Sequence, residues 1–191
     1  MKQGFFQSVS YTLENRDGKY KLVFKFKLNQ IAESVEIHNS PVKINSFFKP
    51  LIQAKKPINW QALFQSVNKA TEFVKKKGYP LFRIDKVFVK NKILIIQANP
   101  GIIKRLVLKV NKNKSLSKLT HFLESKEGKA PYKTSLDKDL QRLLALDFFS
   151  GVTPPLIYQT SNDLKLNTTE VIFSLQERPS NWLDLGIEQL K

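Results

Sequence analysis

The sequence predicts an α+β fold assembled from tandem modules of about seventy residues each, a domain-sized rather than solenoid period. Three observations carry that expectation. First, Phe5-Phe6-Gln7-Ser8-Val9 returns as Phe148-Phe149-Ser150-Gly151-Val152, with a looser copy, Gly78-Tyr79-Pro80-Leu81-Phe82-Arg83-Ile84, between them. Second, Val35-Glu36-Ile37-His38-Asn39 is echoed by Leu106-Val107-Leu108-Lys109-Val110-Asn111, whose closing asparagines (39 and 111) stand 72 residues apart. Third, two-residue and helical periodicities follow these landmarks in one repeated order.

Lys19 to Leu28 alternates cleanly, with Lys19, Lys21, Lys25 and Lys27 on one face and Tyr20, Leu22, Phe24, Phe26 and Leu28 on the other. Arg16-Asp17-Gly18 supplies a turn and Phe6 to Leu13 the preceding strand, so the opening segment is predicted to be a hairpin. Two strands with one apolar face are marginal in water. Helices upstream are expected to cover that face, so the chain is expected to begin inside a module.

In the second unit, Ser34 to Asn39 is a predicted strand and Pro41-Val42-Lys43 a break, before a weak helix, Ile44 to Ile52, pointing Phe47, Phe48 and Leu51 inward. Asn59 then caps a helix whose Trp60, Leu63, Phe64, Val67, Ala70, Thr71 and Val74 form one stripe. Lys75, Lys76 and Lys77 favour its C-terminal dipole and Gly78 closes it. Strands Phe82 to Val89 and Ile93 to Ala98 follow around Lys90-Asn91-Lys92. The order is β-α-α-β-β.

The third unit repeats it. Arg105 to Val110 is a strand, and Ser115 caps a short helix carrying Leu116, Leu119 and Leu123, which Gly128 to Pro131 breaks. Thr134 or Ser135 caps a second helix facing Leu136, Leu140, Leu143 and Leu144 inward. Strands Gly151 to Gln159 and Thr169 to Gln176 enclose a polar loop, Thr160 to Thr168. Beyond Pro179, Trp182 followed by alternating Leu183, Leu185 and Ile187 resembles the opening of a membrane β-barrel strand. The equally weighted alternative is an edge-strand or disordered tail.

Composition bounds the chemistry. A chain of 191 residues with 41% hydrophobic and 25% charged residues is globular, and the absence of Cys excludes disulfides and thiolate catalysis. No Gly-rich phosphate loop or Ser-centred nucleophile elbow occurs. His38 and His121 lie in no motif, Asp137 and Asp139 fit a helix start, and no metal-ligand spacing is present. The protein is therefore expected not to be an enzyme and to need no cofactor or metal. The net charge of +16 divides into +12 for residues 1–100 and +4 for residues 101–191. Such charge attracts phosphate backbones. Against specific nucleic-acid binding, no glycine-flanked loop of the KH type is present, and Phe24, Phe26 and Trp60 are expected on core faces, unavailable to stack on bases.

The module order, Gly78-Tyr79 or Phe148-Phe149 after the second helix, Asn39 and Asn111 after the first strand, and the barrel-like start together resemble POTRA (polypeptide-transport-associated) domains. Such arrays precede the barrel in the BamA-like outer-membrane assembly family and its plastid relatives. The resemblance divides the chain into residues 1–30 as the C-terminal half of one module, 31–100 and 101–178 as complete modules, and 179–191 as the start of a truncated barrel. It implies three-stranded mixed sheets with two helices on one face, the last strand central and the second at an edge. That edge could accept an extended peptide, with Arg83, Asp85, Val87, Val89, Val152, Leu156 and Tyr158 as candidate contacts. Lys19, Lys21, Lys25 and Lys27 are candidates for steering acidic partners or anionic lipid; a plain solvated strand face is the stronger reading of that stripe. The implied partners are unfolded outer-membrane protein precursors, accessory assembly or translocon subunits, and the membrane through the barrel. The implied location is the periplasmic side of an outer membrane, or a plastid outer envelope. A two-partner secretion transporter is the alternative within this resemblance.

Overall fold

The structure, a computed structural model, describes residues 5–16, 19–52, 56–110, 116–146 and 148–178. The turn Asp17-Gly18, Asn111, the Ser115 cap and the stretch after Arg178 lie outside the described residues. Two compact units result: residues 1–77 with 82–99, and residues 78–81 with 100–191.

Unit 1 opens with an antiparallel hairpin, β1 (Phe6–Arg16) and β2 (Lys19–Leu28), in which Val9 pairs with Phe26, Tyr11 with Phe24 and Leu13 with Leu22. These six side chains are all exposed, so among the described residues nothing covers the apolar face. A mixed three-stranded sheet follows, with β5 (Ile93–Asn99) central, parallel to β3 (Ser34–His38) and antiparallel to β4 (Arg83–Lys90). β4 and β5 meet through Asn91-Lys92, both at positive φ, as a two-residue type I′ turn requires.

Across this sheet lies α1 (Trp60–Lys76), whose first turn is capped by Asn59 Oδ1 accepting the Ala62 amide at 3.1 Å. Leu63, Ala70 and Val74 are buried, as are Ile44, Phe48, Ile58, Phe82, Leu94, Ile96 and Ala98 of the same unit. The weak helix expected at Ile44 to Ile52 is instead two 3₁₀ turns, Asn45–Phe47 and Lys49–Leu51. Pro50 has no amide to give the Ser46 carbonyl, so a helix entering from Asn45 cannot run through it.

Unit 2 has the same topology. β9 (Thr168–Glu177) is central, parallel to β6 (Ile102–Val110) and antiparallel to β7 (Phe149–Val152) and then β8 (Leu156–Tyr158) on its other side. Pro154-Pro155 splits the single strand expected from Gly151 to Gln159, since neither residue can donate to the ladder. α2 (Lys133–Leu144) buries Leu136 and Leu143 into a core of Ile103, Leu106, Leu108, Val171, Phe173 and Leu175. It starts at Tyr132, not at Thr134 or Ser135; the Ser135 hydroxyl donates instead to Glu124 Oε1 at 2.9 Å. Leu144, one step past the Leu136-Leu140-Leu143 stripe, is exposed. The first helix of this unit is again a 3₁₀ turn, Ser117–Phe122. Asp139 is no dipole residue at a helix start. It is fully buried within α2 and accepts the amides of Glu124 and Ser125, the latter at 2.8 Å, tying that loop to the helix.

The expected polar loop contains α3 (Ser161–Leu166), held by a capping box between Thr160 and Asp163. Asp163 is 1% exposed and accepts from the Thr160 hydroxyl (2.7 Å), the Thr160 amide (3.1 Å), the Thr168 hydroxyl (2.9 Å) and Lys104 Nζ (3.2 Å). The Thr160 hydroxyl foremost, then these other donors, hold its carboxyl well below the usual carboxylate range while burial opposes them. α3 ends at Asn167, left-handed at φ 55°, whose Nδ2 donates to the Leu81 carbonyl at 3.2 Å. Gly101, at φ +79°, lies so close that a Cβ there would sit 2.6 Å from the Leu81 Cβ.

Two outcomes test this packing. Gly101→Ala adds both a steric clash and a strained φ, and should cost about 1–3 kcal/mol in urea denaturation. Asp163 has a lowered folded pKa, so its stabilisation is present above the unfolded carboxylate pKa of about 3.9 and fades as the pH falls below that value through the lower folded one. Asp163→Asn should melt lower at pH 7 and show a shallower acid limb in thermal scans between pH 6 and 2.

Candidate functional site

β4 is one of the two edges of the three-stranded sheet of unit 1, β3 being the other, and is paired only with β5 among the described residues. Its register slips between Ile84 and Lys86, leaving Asp85 as a bulge. This extra residue turns Ile84, Val87 and Val89 to the same side as buried Ala98, Ile96 and Leu94, while Lys86, Phe88 and Lys90 pair with Gln97, Ile95 and Ile93 on the outer side. Of the sequence-named contacts on this strand, Val87 and Val89 therefore share the inner face and Arg83 does not. Asp85 is held along the strand, accepting Arg83 Nε at 2.6 Å and Asn99 Nδ2 at 2.9 Å.

Beside this edge runs an apolar groove of about 260 Å³, lined by Trp60, Leu63, Phe64 and Val67 of α1 and by Ile84, Asp85, Lys86 and Val87 of β4. The helical stripe is wider than the sheet beneath it. Leu63, Ala70 and Val74 form the buried line, whereas Trp60 and Phe64, on the flank of the same stripe, remain 39% and 66% exposed. Sequence periodicity correctly assigns these rings to the apolar side of the helix but cannot say where a three-stranded sheet runs out. Phe24 and Phe26 are likewise exposed, so burial does not keep these aromatic rings from bases, contrary to expectation. What remains against specific nucleic-acid binding is the missing glycine-flanked loop.

In unit 2 the corresponding edge is broken. Val152 and Leu156 are four positions apart, while their partners Leu175 and Ile172 are three apart, and the extra residue inverts the alternation. Val152 packs against the core, whereas Leu156 and Tyr158 are exposed on the outer face. The three sequence-named residues do not form one contact row. On the hairpin, Lys21, Lys25 and Lys27 are exposed along β2 with Lys19 at its start. No group of three or more His, Asp or Glu side chains arranged for a metal occurs among the described residues.

The fold matches solved structures. The N-terminal domain of Omp85 from the thermophilic cyanobacterium Thermosynechococcus elongatus aligns at TM-score 0.73 over 93% of this chain and 79% of that one, with 17% identity. POTRA1-3 of the periplasmic domain of Omp85 from Anabaena aligns at 0.73 over 93% and 77%, with 19% identity. CdiB from Acinetobacter baumannii aligns at 0.55 over 78% of this chain and 30% of that one, with 21% identity. No family sequence profile and no curated protein matches the sequence. The chain has the POTRA fold, α+β with mixed sheets.

Core and groove roles on α1 separate experimentally. Leu63→Ala should cost about 2–5 kcal/mol as a buried truncation. Phe64→Ser, one residue away but exposed, should change stability by no more than about 0.5 kcal/mol. Parallel chemical denaturation of the two variants reads the difference.

Proposed function

We propose that this chain is the POTRA region of an outer-membrane β-barrel assembly or translocation protein, lying on the periplasmic side or, in a plastid, beneath the outer envelope. It binds unfolded precursor polypeptides and accessory subunits by adding their extended segments to β4 and, more weakly, to the divided β7/β8 edge. The observation that carries the reading is the coincidence of an edge strand with an apolar groove along its inner side. Main-chain groups of the edge supply affinity that is indifferent to sequence, and the groove takes every second side chain of the guest. The likeness to Omp85 structures supports placing this receptor beside a barrel. By the same reading, residues 31–100 and 101–178 are complete modules, and residues 1–30 form the C-terminal half of another. The likeness to CdiB favours a second reading, a two-partner secretion transporter whose modules hold one dedicated exported partner. The reading includes no catalytic role.

Consecutive residues of an edge strand in an antiparallel pair alternate between bonding their neighbour and facing outward. One of Lys86→Pro and Val87→Pro therefore removes an outward amide, and the other a ladder bond. The variant that stays cooperatively folded by circular dichroism should bind a urea-diluted barrel precursor about five-fold more weakly, the worth of one backbone hydrogen bond. Unchanged binding in that folded variant removes β4 from the mechanism. Testing one exported partner against several barrel precursors separates the two readings.

A further inference from the structure

Resting on the augmentation reading, we infer that the β4 edge selects its guests by charge. It admits extended segments carrying acidic side chains four residues apart around an apolar or aromatic centre, and it rejects a second copy of itself. The outer row of β4 is Lys86, Phe88 and Lys90, and its inner row is Val87 and Val89. The ion pairs described on this hairpin are Arg83–Asp85 and Lys92–Glu33, and Lys86 and Lys90 enter neither. Because Asp85 is turned along the strand to Arg83 and Asn99, no carboxylate on β4 itself faces these two lysines.

A strand added to β4 places alternate residues on the two faces. The one opposite Val87 enters the apolar groove, and the one opposite Val89 stands on the same face. Those opposite Lys86, Phe88 and Lys90 stand on the outer face at cross-strand distance, where opposite charges attract and like charges repel. The complementary segment therefore reads acidic, apolar, aromatic, apolar, acidic. This pattern is symmetric, so it fits whether the guest runs parallel or antiparallel. A second β4 would bring Lys86 and Lys90 against the same lysines, and edge lysines of this kind oppose self-pairing. One pair of residues thus closes the edge to its own kind and opens it to acidic guests, with specificity gained partly by repulsion.

The test uses the whole chain and three fluorescein-labelled nine-residue peptides, Thr-Thr-X-Val-Tyr-Val-X-Thr-Thr with X as Glu, Gln or Lys. Binding is followed by anisotropy, and its location by amide shifts of β4 in NMR spectra. The Glu peptide should bind about three- to twenty-fold tighter than the Gln peptide, as two cross-strand ion pairs allow, and the Lys peptide weakest. The Glu advantage should vanish in about 0.5 M salt, where the Debye length falls to about 4 Å, and in the exposed double variant Lys86→Gln/Lys90→Gln, which should bind the Glu and Gln peptides alike. Equal binding of Glu and Gln peptides with β4 shifts present overturns the charge selection and leaves augmentation standing. A Glu advantage that survives in the double variant overturns it too, placing the charge recognition elsewhere. Absence of β4 shifts with every peptide overturns augmentation itself.

Discussion

The parallel pairings of β3 with β5 and of β6 with β9 govern the two mixed sheets. A parallel pair needs a long crossover, and here that crossover carries the 3₁₀ turns and the long helix, which then lie on one face of the sheet. The last strand is flanked on both sides, and its composition shows it: Ile93-Leu94-Ile95-Ile96 is an almost unbroken apolar run. Joined to β5 by only two residues, β4 has one place left, the outer edge. The site is a product of topology before any side chain is considered.

The two units then treat that edge differently. In unit 1 it is eight residues long and interrupted once, by a bulge whose Asp85 is hydrogen-bonded within the sheet. In unit 2, Pro154-Pro155 cuts the strand into segments of four and three residues. The short α3 behind it is fixed by Asp163, and Gln159 Nε2 donates to the Thr168 carbonyl at 2.7 Å. Proline and short strands are usual means of blunting an edge. The equivalent edge in unit 1 is longer and is flanked by the apolar groove.

Periodicity made the main elements legible. The Asn59 cap, the stripe of α1, the alternation of β2 and the strand order all follow from patterns of two and 3.6. The recurring aromatic motif also has a structural meaning: its copies lead into β1, β4 and β7, and Phe82 and Phe149 are buried there. Phe148, beside Phe149, is exposed, so two identical neighbours have opposite fates that composition cannot separate. What local patterns miss are single-residue events: Pro50 halting a helix, Asp85 and the Pro154-Pro155 break shifting the phase of a strand, Ser135 spending its hydroxyl on Glu124. The two strand interruptions change which face the side chains beyond them occupy, and that is why the named contact residues do not form one row on either edge.

The surplus of apolar surface and the surplus of charge belong together. The β1–β2 hairpin exposes Val9, Tyr11, Leu13, Leu22, Phe24 and Phe26, and α1 leaves Trp60 and Phe64 outside its core. Surfaces of this kind invite self-association. On β2 every second residue from Lys25 to Lys27 is a lysine, and on β4 Lys86 and Lys90 flank Phe88. Residues 1–100, which hold these exposed faces, carry +12 of the +16. Like charge opposes the approach of identical copies without filling the edge or covering the groove.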